Sequence, residues 1–265
     1  MTLGVWDQLA IAGTGMAAIM FLLWLIHLRT GDAGIVDFGW AAGLGLTSIF
    51  YAFSSPEVGA RQALLALLAG LWSFRLAGYI LFNRVVGGEE DGRYQTLRKN
   101  WGTKAPVYFL LFFWFQAILV VVFSIPYLAV AWNLVDDLTI FDLVGVLILV
   151  GSIAGETLAD RQLARFRSRS ENRGRTCRDG LWRYSRHPNY FFEWLHWWGY
   201  VFLSFGNPWW WVSLLGPVLM LIFIFKITGI PATETQALAS RGEDYRRYQE
   251  STSAFIPWFP RKTDS

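Results

Sequence analysis

Residues 180–194 read G-L-W-R-Y-S-R-H-P-N-Y-F-F-E-W. The stretch begins in arginine-rich, water-facing sequence and ends inside an apolar run, so it marks a membrane boundary. Pro188 suits the first turn of a helix, where its missing N–H would have had no partner anyway. Asn189 and Glu193 then stand four apart and project from one helix face. A carboxylate inside a membrane helix is costly and needs a donor or a ligand. Arg186, His187, an amide and a carboxylate thus meet at one membrane entrance, as a polar, anionic cofactor would require. The plainer reading is a helix start whose basic flank lies among lipid headgroups.

Outward from this stretch the chain is apolar. Of 265 residues, 54% are hydrophobic, with 15 Trp and 21 Phe, which is membrane rather than soluble-core composition. The apolar runs do not alternate, so helices and not a barrel must satisfy the backbone. Seven spans are expected: Val5–Ile26, Ile35–Phe53, Arg61–Phe82, Val107–Trp132, Ile140–Ala159, the run from the quoted motif to Phe205, and Trp209–Ile230. Asn83 to Lys104, including Glu89, reads as a polar loop. This is an all-α, integral membrane bundle of seven transmembrane helices, read as a single domain over 1–265. Met1 to Trp6 lacks a positive n-region, so no cleavable signal peptide is expected.

The loops carry lopsided charge. Arg161 to Arg186 holds nine arginines. Arg84, Arg93, Arg98, Lys99 and Lys104 follow the third span, and the tail adds Arg241, Arg246, Arg247, Arg261 and Lys262. The opposite loops carry Asp136 and Asp137, and no Lys or Arg between the last two spans. The positive-inside rule then places the N-terminus outside and Ser265 in the cytoplasm. The net charge of +3 is small, and its lopsided distribution fits headgroup or phosphate contact better than a nucleic-acid surface. The single Cys177 and three His exclude an intrachain disulfide and a metal cluster at ligand spacing.

Ionisable residues within the spans are the candidates for chemistry. Arg75, Tyr79 and Asn83 recur every four residues as one polar stripe, and Asp37 is a candidate partner for Arg75. A buried Asp–Arg pair that only fixes helix packing is the alternative. Glu156 and Asp160 share a helix face, followed by Arg167, Arg169, Arg173 and Arg175. Carboxylates beside guanidinium groups suit ribose hydroxyls and phosphates. No G-x-G-x-x-G turn is present, which excludes a Rossmann site. Tyr245 and Tyr248, in G-E-D-Y-R-R-Y, belong to an amphipathic tail.

R-H-P-N-Y-x-x-E at the start of a late helix, G-L-W-R-Y before it, and E-D-Y-R-R-Y followed by F-I-P-W resemble the steroid 5-alpha-reductase family, in its bacterial branch. The resemblance implies a seven-helix reductase whose NADPH enters from the cytoplasm and whose hydride goes to the β carbon of an enone. It implies cofactor contacts at Asn83, Asp160, Arg167, Arg175, Asn189 and Glu193, with Glu156 where the family often has Asn. On the substrate side Asp37 stands for the family's glutamate, with Arg75 beside it. Trp72 stands where the family has its catalytic tyrosine, and an indole N–H can donate a hydrogen bond but not supply a proton as a phenol can.

The expected function is therefore an NADPH-dependent oxidoreductase acting on the CH–CH group of an apolar, lipid-like substrate. Membrane lipids are the surroundings, and the reading has no place for nucleic acid or an obligate protein partner. An isoprenylcysteine-type methyltransferase using S-adenosylmethionine is the first alternative, since it shares the R-H-P-N-Y start. A non-catalytic lipid-binding protein is the second, and Trp72 is what favours it.

Overall fold

The computed structural model describes residues 3–86, 90–227 and 229–261. The expectations for Glu89, Lys262 and Ser265 fall outside them. The described residues contain helices and turns and no strand. Their contacts divide the chain into two compact units, Met1–Thr139 with Leu203–Ser213, and Ile140–Phe202 with Leu214–Ser265.

In the first unit, α1 (Val5–Thr30) is apolar almost throughout. Its 26 residues exceed the roughly 20 that a bilayer core requires. Asp7 accepts the Gly4 N–H at 3.0 Å at its start. At its end Gly31, with φ 77°, takes the left-handed cap conformation and returns its N–H to His27. In α2 (Ile35–Ser54), the glycines at 39, 43 and 45 serve helix approach. A Cβ on Gly39 would lie 2.3 Å from Leu23 Cδ1, and one on Gly43 2.5 Å from Met16 Cε, both on α1. One on Gly45 would lie 3.0 Å from Ser73 Cβ, on α3 (Ala60–Ile80). A wider π turn, Leu81–Val85, prolongs α3.

The stretch expected to be a polar loop contains a further helix, α4 (Gly92–Trp101), started by Asp91, whose carboxylate accepts the Arg93 N–H at 2.9 Å. An Asp N-cap satisfies a donor that the first turn leaves unpaired. Then α5 (Ala105–Ala131) has Pro106 in its first turn and runs largely apolar over its 27 residues.

The turn after α5 is held by Arg61, which is only 3% exposed. Its guanidinium donates to the carbonyls of Asn133 at 3.2 Å, Val135 at 2.6 Å and Asp137 at 3.0 Å. Gln62 Nε2 donates to Ala131 O at 3.0 Å, and Asn207 Nδ2 to Ala129 O at 2.8 Å. The Gln62 and Asn207 amides satisfy last-turn carbonyls of a helix whose end is buried, and Arg61 satisfies the carbonyls of the turn after it. Arg61→Ala leaves them unpaired and is expected to cost about 3 kcal/mol, read as a lower unfolding midpoint in detergent. An unchanged midpoint would mean that water replaces the guanidinium there.

In the second unit, α6 (Ile140–Ser168) and α7 (Pro188–Ser204) approach closely. A Cβ on Gly199 would lie 2.4 Å from Leu149 Cγ, and one on Gly155 2.4 Å from the Phe192 ring. A 3-10 turn at Trp210–Leu214 precedes α8 (Leu215–Ile222), and a π turn, Phe223–Ile227, follows it. Two polar helices, α9 (Ile230–Arg241) and α10 (Glu243–Ser251), follow.

Among the described residues, six segments are long and apolar enough to cross a membrane: Val5–Thr30, Ile35–Ser54, Ala60–Val85, Gly92–Ala131, Ile140–Ser168 and Trp210–Arg241. They match all the expected spans except the sixth. That one is α7, whose 17 residues cover about 26 Å, short of the roughly 30 Å hydrocarbon core.

Candidate functional site

In the first unit the polar chemistry gathers at the start of α2. Tyr94 Oη donates to Asp37 Oδ1 at 2.7 Å, and Arg93 Nη2 meets Asp37 Oδ2 at 3.2 Å. Tyr94 is buried, at 3% exposure, while Asp37 is half-buried. Asp91 holds Arg93 from the other side, Nε to Oδ1 at 3.0 Å. Glu90 accepts Arg98 Nη2 at 2.6 Å and the Ala33 N–H at 2.9 Å, and so fastens α4 to the turn before α2. Asp37 is therefore a carboxylate with a phenol on one oxygen and a guanidinium on the other.

Arg75 is not a partner of Asp37. Helices α2 and α3 run antiparallel, with Gly45 against Ser73 and Ala41 packed with Ala77. In that register Arg75 is level with residue 43, six residues from Asp37 and about 9 Å along the axis. Trp72 is fully buried in α3. Asn83 turns its amide back on its own helix, donating to Tyr79 O at 2.9 Å. The expected stripe of Arg75, Tyr79 and Asn83 thus spends its last member on a backbone carbonyl. Sequence reading missed Tyr94. The signal lay in D-G-R-Y at 91–94, a helix start that aims residues 93 and 94 back across the cap.

In the second unit, Glu156 is buried and Asp160 half-buried on α6, while Arg167 and Arg175 are exposed. Glu156 adjoins Gly155, on which Phe192 lies, and Glu193 follows Phe192 in α7. Loop 180–183 is held on α6: Trp182 Nε1 donates to Ala159 O at 2.9 Å, and the Leu181 N–H to Gln162 Oε1 at 2.9 Å. The side chains of Arg175 and Asn189 make no hydrogen bond or ion pair among the described residues.

Arg186 and His187, read above as part of a cofactor entrance, are bound into the protein. Glu234 Oε1, on α9, accepts Arg186 Nε at 2.7 Å and lies 3.3 Å from His187 Nε2. Gln249 Nε2 donates to Glu234 Oε2 at 2.8 Å, and Tyr245 Oη to Oε1 at 3.3 Å. Arg186 Nη1 donates to Gln249 O at 2.9 Å and Thr252 O at 2.6 Å. The Tyr248 phenol donates to Trp182 O and Ser185 O. The His187 ring stacks on Tyr190, 5.3 Å away and 7° from parallel. Glu234 is the residue that sequence reading overlooked. Its one signal is a lone acid in the short helix after the last apolar run.

Asp244 ties α10 to the arginine-rich segment, accepting the Thr176 N–H at 2.7 Å and Arg178 Nη2 at 2.9 Å. Burial alone raises its carboxyl, but the Thr176 hydrogen bonds and the Arg178 charge outweigh it and hold the group below its ordinary value. A depressed carboxyl contributes stability above its unfolded pKa of about 3.9 and loses it as pH falls through the lower folded value. Protection of the Thr176 amide against hydrogen exchange is therefore expected at pH 6 and to fade below about pH 4. Asp244→Asn should abolish that pH dependence, and a profile shared with wild type would assign it to another group.

The fold and these sites define a multi-pass helical membrane protein. The chain belongs to the family described as "Protein of unknown function (DUF1295)", whose family model matches residues 23–252. No curated protein and no solved structure matches it.

Proposed function

We propose that this chain is a membrane-embedded, NADPH-dependent reductase that saturates the C=C of an enone in a steroid-like or other lipid substrate. The observation that carries the reading is the 2.7 Å hydrogen bond between Tyr94 and Asp37 beside Arg93. A phenol and a carboxylate sharing a proton at the edge of an apolar helix are suited to protonating a carbonyl oxygen. Tyr94 thereby offers the phenol that Trp72 lacks. The resemblance to steroid 5-alpha-reductases, with its R-H-P-N-Y-x-x-E and E-D-Y-R-R-Y motifs, supports the same reaction.

The second unit fits the nucleotide. Exposed Arg167 and Arg175 suit phosphates, and Glu156, Asp160, Asn189 and Glu193 offer acceptors and an amide for ribose and nicotinamide. Asn83 spends one amide N–H on Tyr79 O and keeps its second N–H and its amide oxygen for a polar ligand. NADPH, when bound, supplies the hydride. Asp37 and Tyr94 hold the proton that the carbonyl oxygen takes up as negative charge develops there. Arg93 keeps Asp37 in place, and Arg75 adds positive charge within the apolar bundle.

The topology belongs to the same reading: seven spans, α7 being the short one, with the N-terminus outside and the arginine-rich loops in the cytoplasm. Reporter fusions after Val135 and after Ser265 are expected on opposite sides of a bacterial inner membrane.

Calorimetry on the purified protein tests the cofactor. An arginine on the 2′-phosphate makes a charge-assisted bond of ~1.5–3 kcal/mol, so NADPH should bind roughly tenfold or more tighter than NADH. Equal affinities would remove the phosphate argument. Saturable binding of S-adenosylmethionine alone would replace the reductase with a methyltransferase.

A further inference from the structure

We propose that a cleft beside Arg186, in the second unit, binds the phosphate group of an anionic membrane lipid. The cleft holds about 330 Å³ and lies between Arg186 and the C-terminal turn. Ser251, Ser253, Trp258 and Arg261 line it, with Glu250 as the one acidic wall residue among the described residues.

The donors there are already positioned. Arg186 is gripped at Nε by Glu234 and at Nη1 by two carbonyls, so its plane is set. Its Nη2 makes no hydrogen bond among the described residues, which leaves two N–H donors in the cleft wall. The Arg261 guanidinium and the Ser253 hydroxyl have no partner among the described residues either, while the Arg261 backbone N–H is fixed on Ser251 O at 2.8 Å. Two guanidinium groups and a hydroxyl converging on one cleft suit a tetrahedral oxyanion. Glu234 already balances the charge of Arg186, so the preference for an anionic over a zwitterionic headgroup rests on Arg261.

The surroundings point to a lipid as the source. Ile256, Trp258 and Phe259 are 59%, 69% and 75% exposed on the turn that forms the cleft. Large apolar side chains so exposed beside arginines are interfacial anchors, dipping to headgroup level while the arginines meet phosphates. Arg186 lies two residues before α7, at the membrane boundary read from the sequence. A bound lipid would tie the C-terminal turn to the bilayer independently of any cofactor.

The test titrates the full chain in neutral detergent with short-chain phosphatidylglycerol, short-chain phosphatidylcholine and inorganic phosphate, read by calorimetry. Phosphatidylglycerol is expected to saturate, and Arg261→Ala to weaken it tenfold or more. The unliganded unfolding midpoint should stay unchanged, since the Arg261 side chain holds nothing in the fold. Glu250→Gln should strengthen binding. Inorganic phosphate binding as tightly as the lipid, and equally lost in Arg261→Ala, would keep the phosphate site and assign it to a free ion. Indistinguishable titrations of wild type and Arg261→Ala, or equal affinity for the two lipids, would overturn the proposal.

Discussion

Asp37→Asn is expected to lower turnover of an enone substrate by about 100-fold, the scale of a lost general acid or base. NADPH affinity and the unfolding midpoint should hardly move. The amide oxygen can still accept the Tyr94 phenol, and Arg93 keeps Asp91, so the fold loses one of two carboxylates around that guanidinium. Tyr94→Phe removes the other half of the pair and should reduce turnover by a similar or smaller factor. If the pair were only structural, both substitutions would lower stability and leave the activity per folded molecule intact. Retained turnover in Asp37→Asn would sink the assignment, and so would unfolding of that variant. Trp72→Tyr should give at most a small gain, because its site is fully buried and a new phenol there needs a partner.

Glu234→Ala is expected to release the C-terminal helices. The carboxylate takes hydrogen bonds from Arg186, Gln249 and Tyr245 and faces His187, and its side chain is only 14% exposed. Its removal leaves the Arg186 charge unpaired with 11% exposure, a loss of roughly 3–5 kcal/mol when a buried pair is broken from one side. Trypsin should then cut at Arg241, Arg246 and Arg247 at least tenfold faster, and the midpoint should fall. Glu234→Gln keeps an acceptor for one donor and should lie between. If Glu234→Ala matches wild type in both measurements, the hub is incidental.

Much of the architecture was legible because a membrane helix is coded locally. Twenty apolar residues cannot leave a backbone carbonyl unpaired in lipid, so Val5–Thr30 or Ile140–Ser168 is readable from composition alone. The glycines of α2 follow a similarly local rule, since a missing side chain lets a neighbouring helix approach. Helix α4 was not read, because its ten residues are polar and its stability comes from the Asp91 cap and from Arg98 on Glu90.

What the tertiary structure decided is pairing. Nothing local in Asp37 distinguishes Arg75, 38 residues on, from Tyr94, 57 residues on; the antiparallel register of α2 and α3 excludes the first. Glu234 meets Arg186 across 48 residues because α9 folds back on the start of α7. The same contact turns R-H-P-N-Y from a free basic patch into a buried knot with one guanidinium edge left open. By itself the sequence determined which segments must be helical and apolar, since that depends on transfer of each segment into lipid. Which charges neutralise which was decided by packing, since a Coulomb or hydrogen-bond partner is chosen by distances of a few ångströms that only the register of whole helices sets.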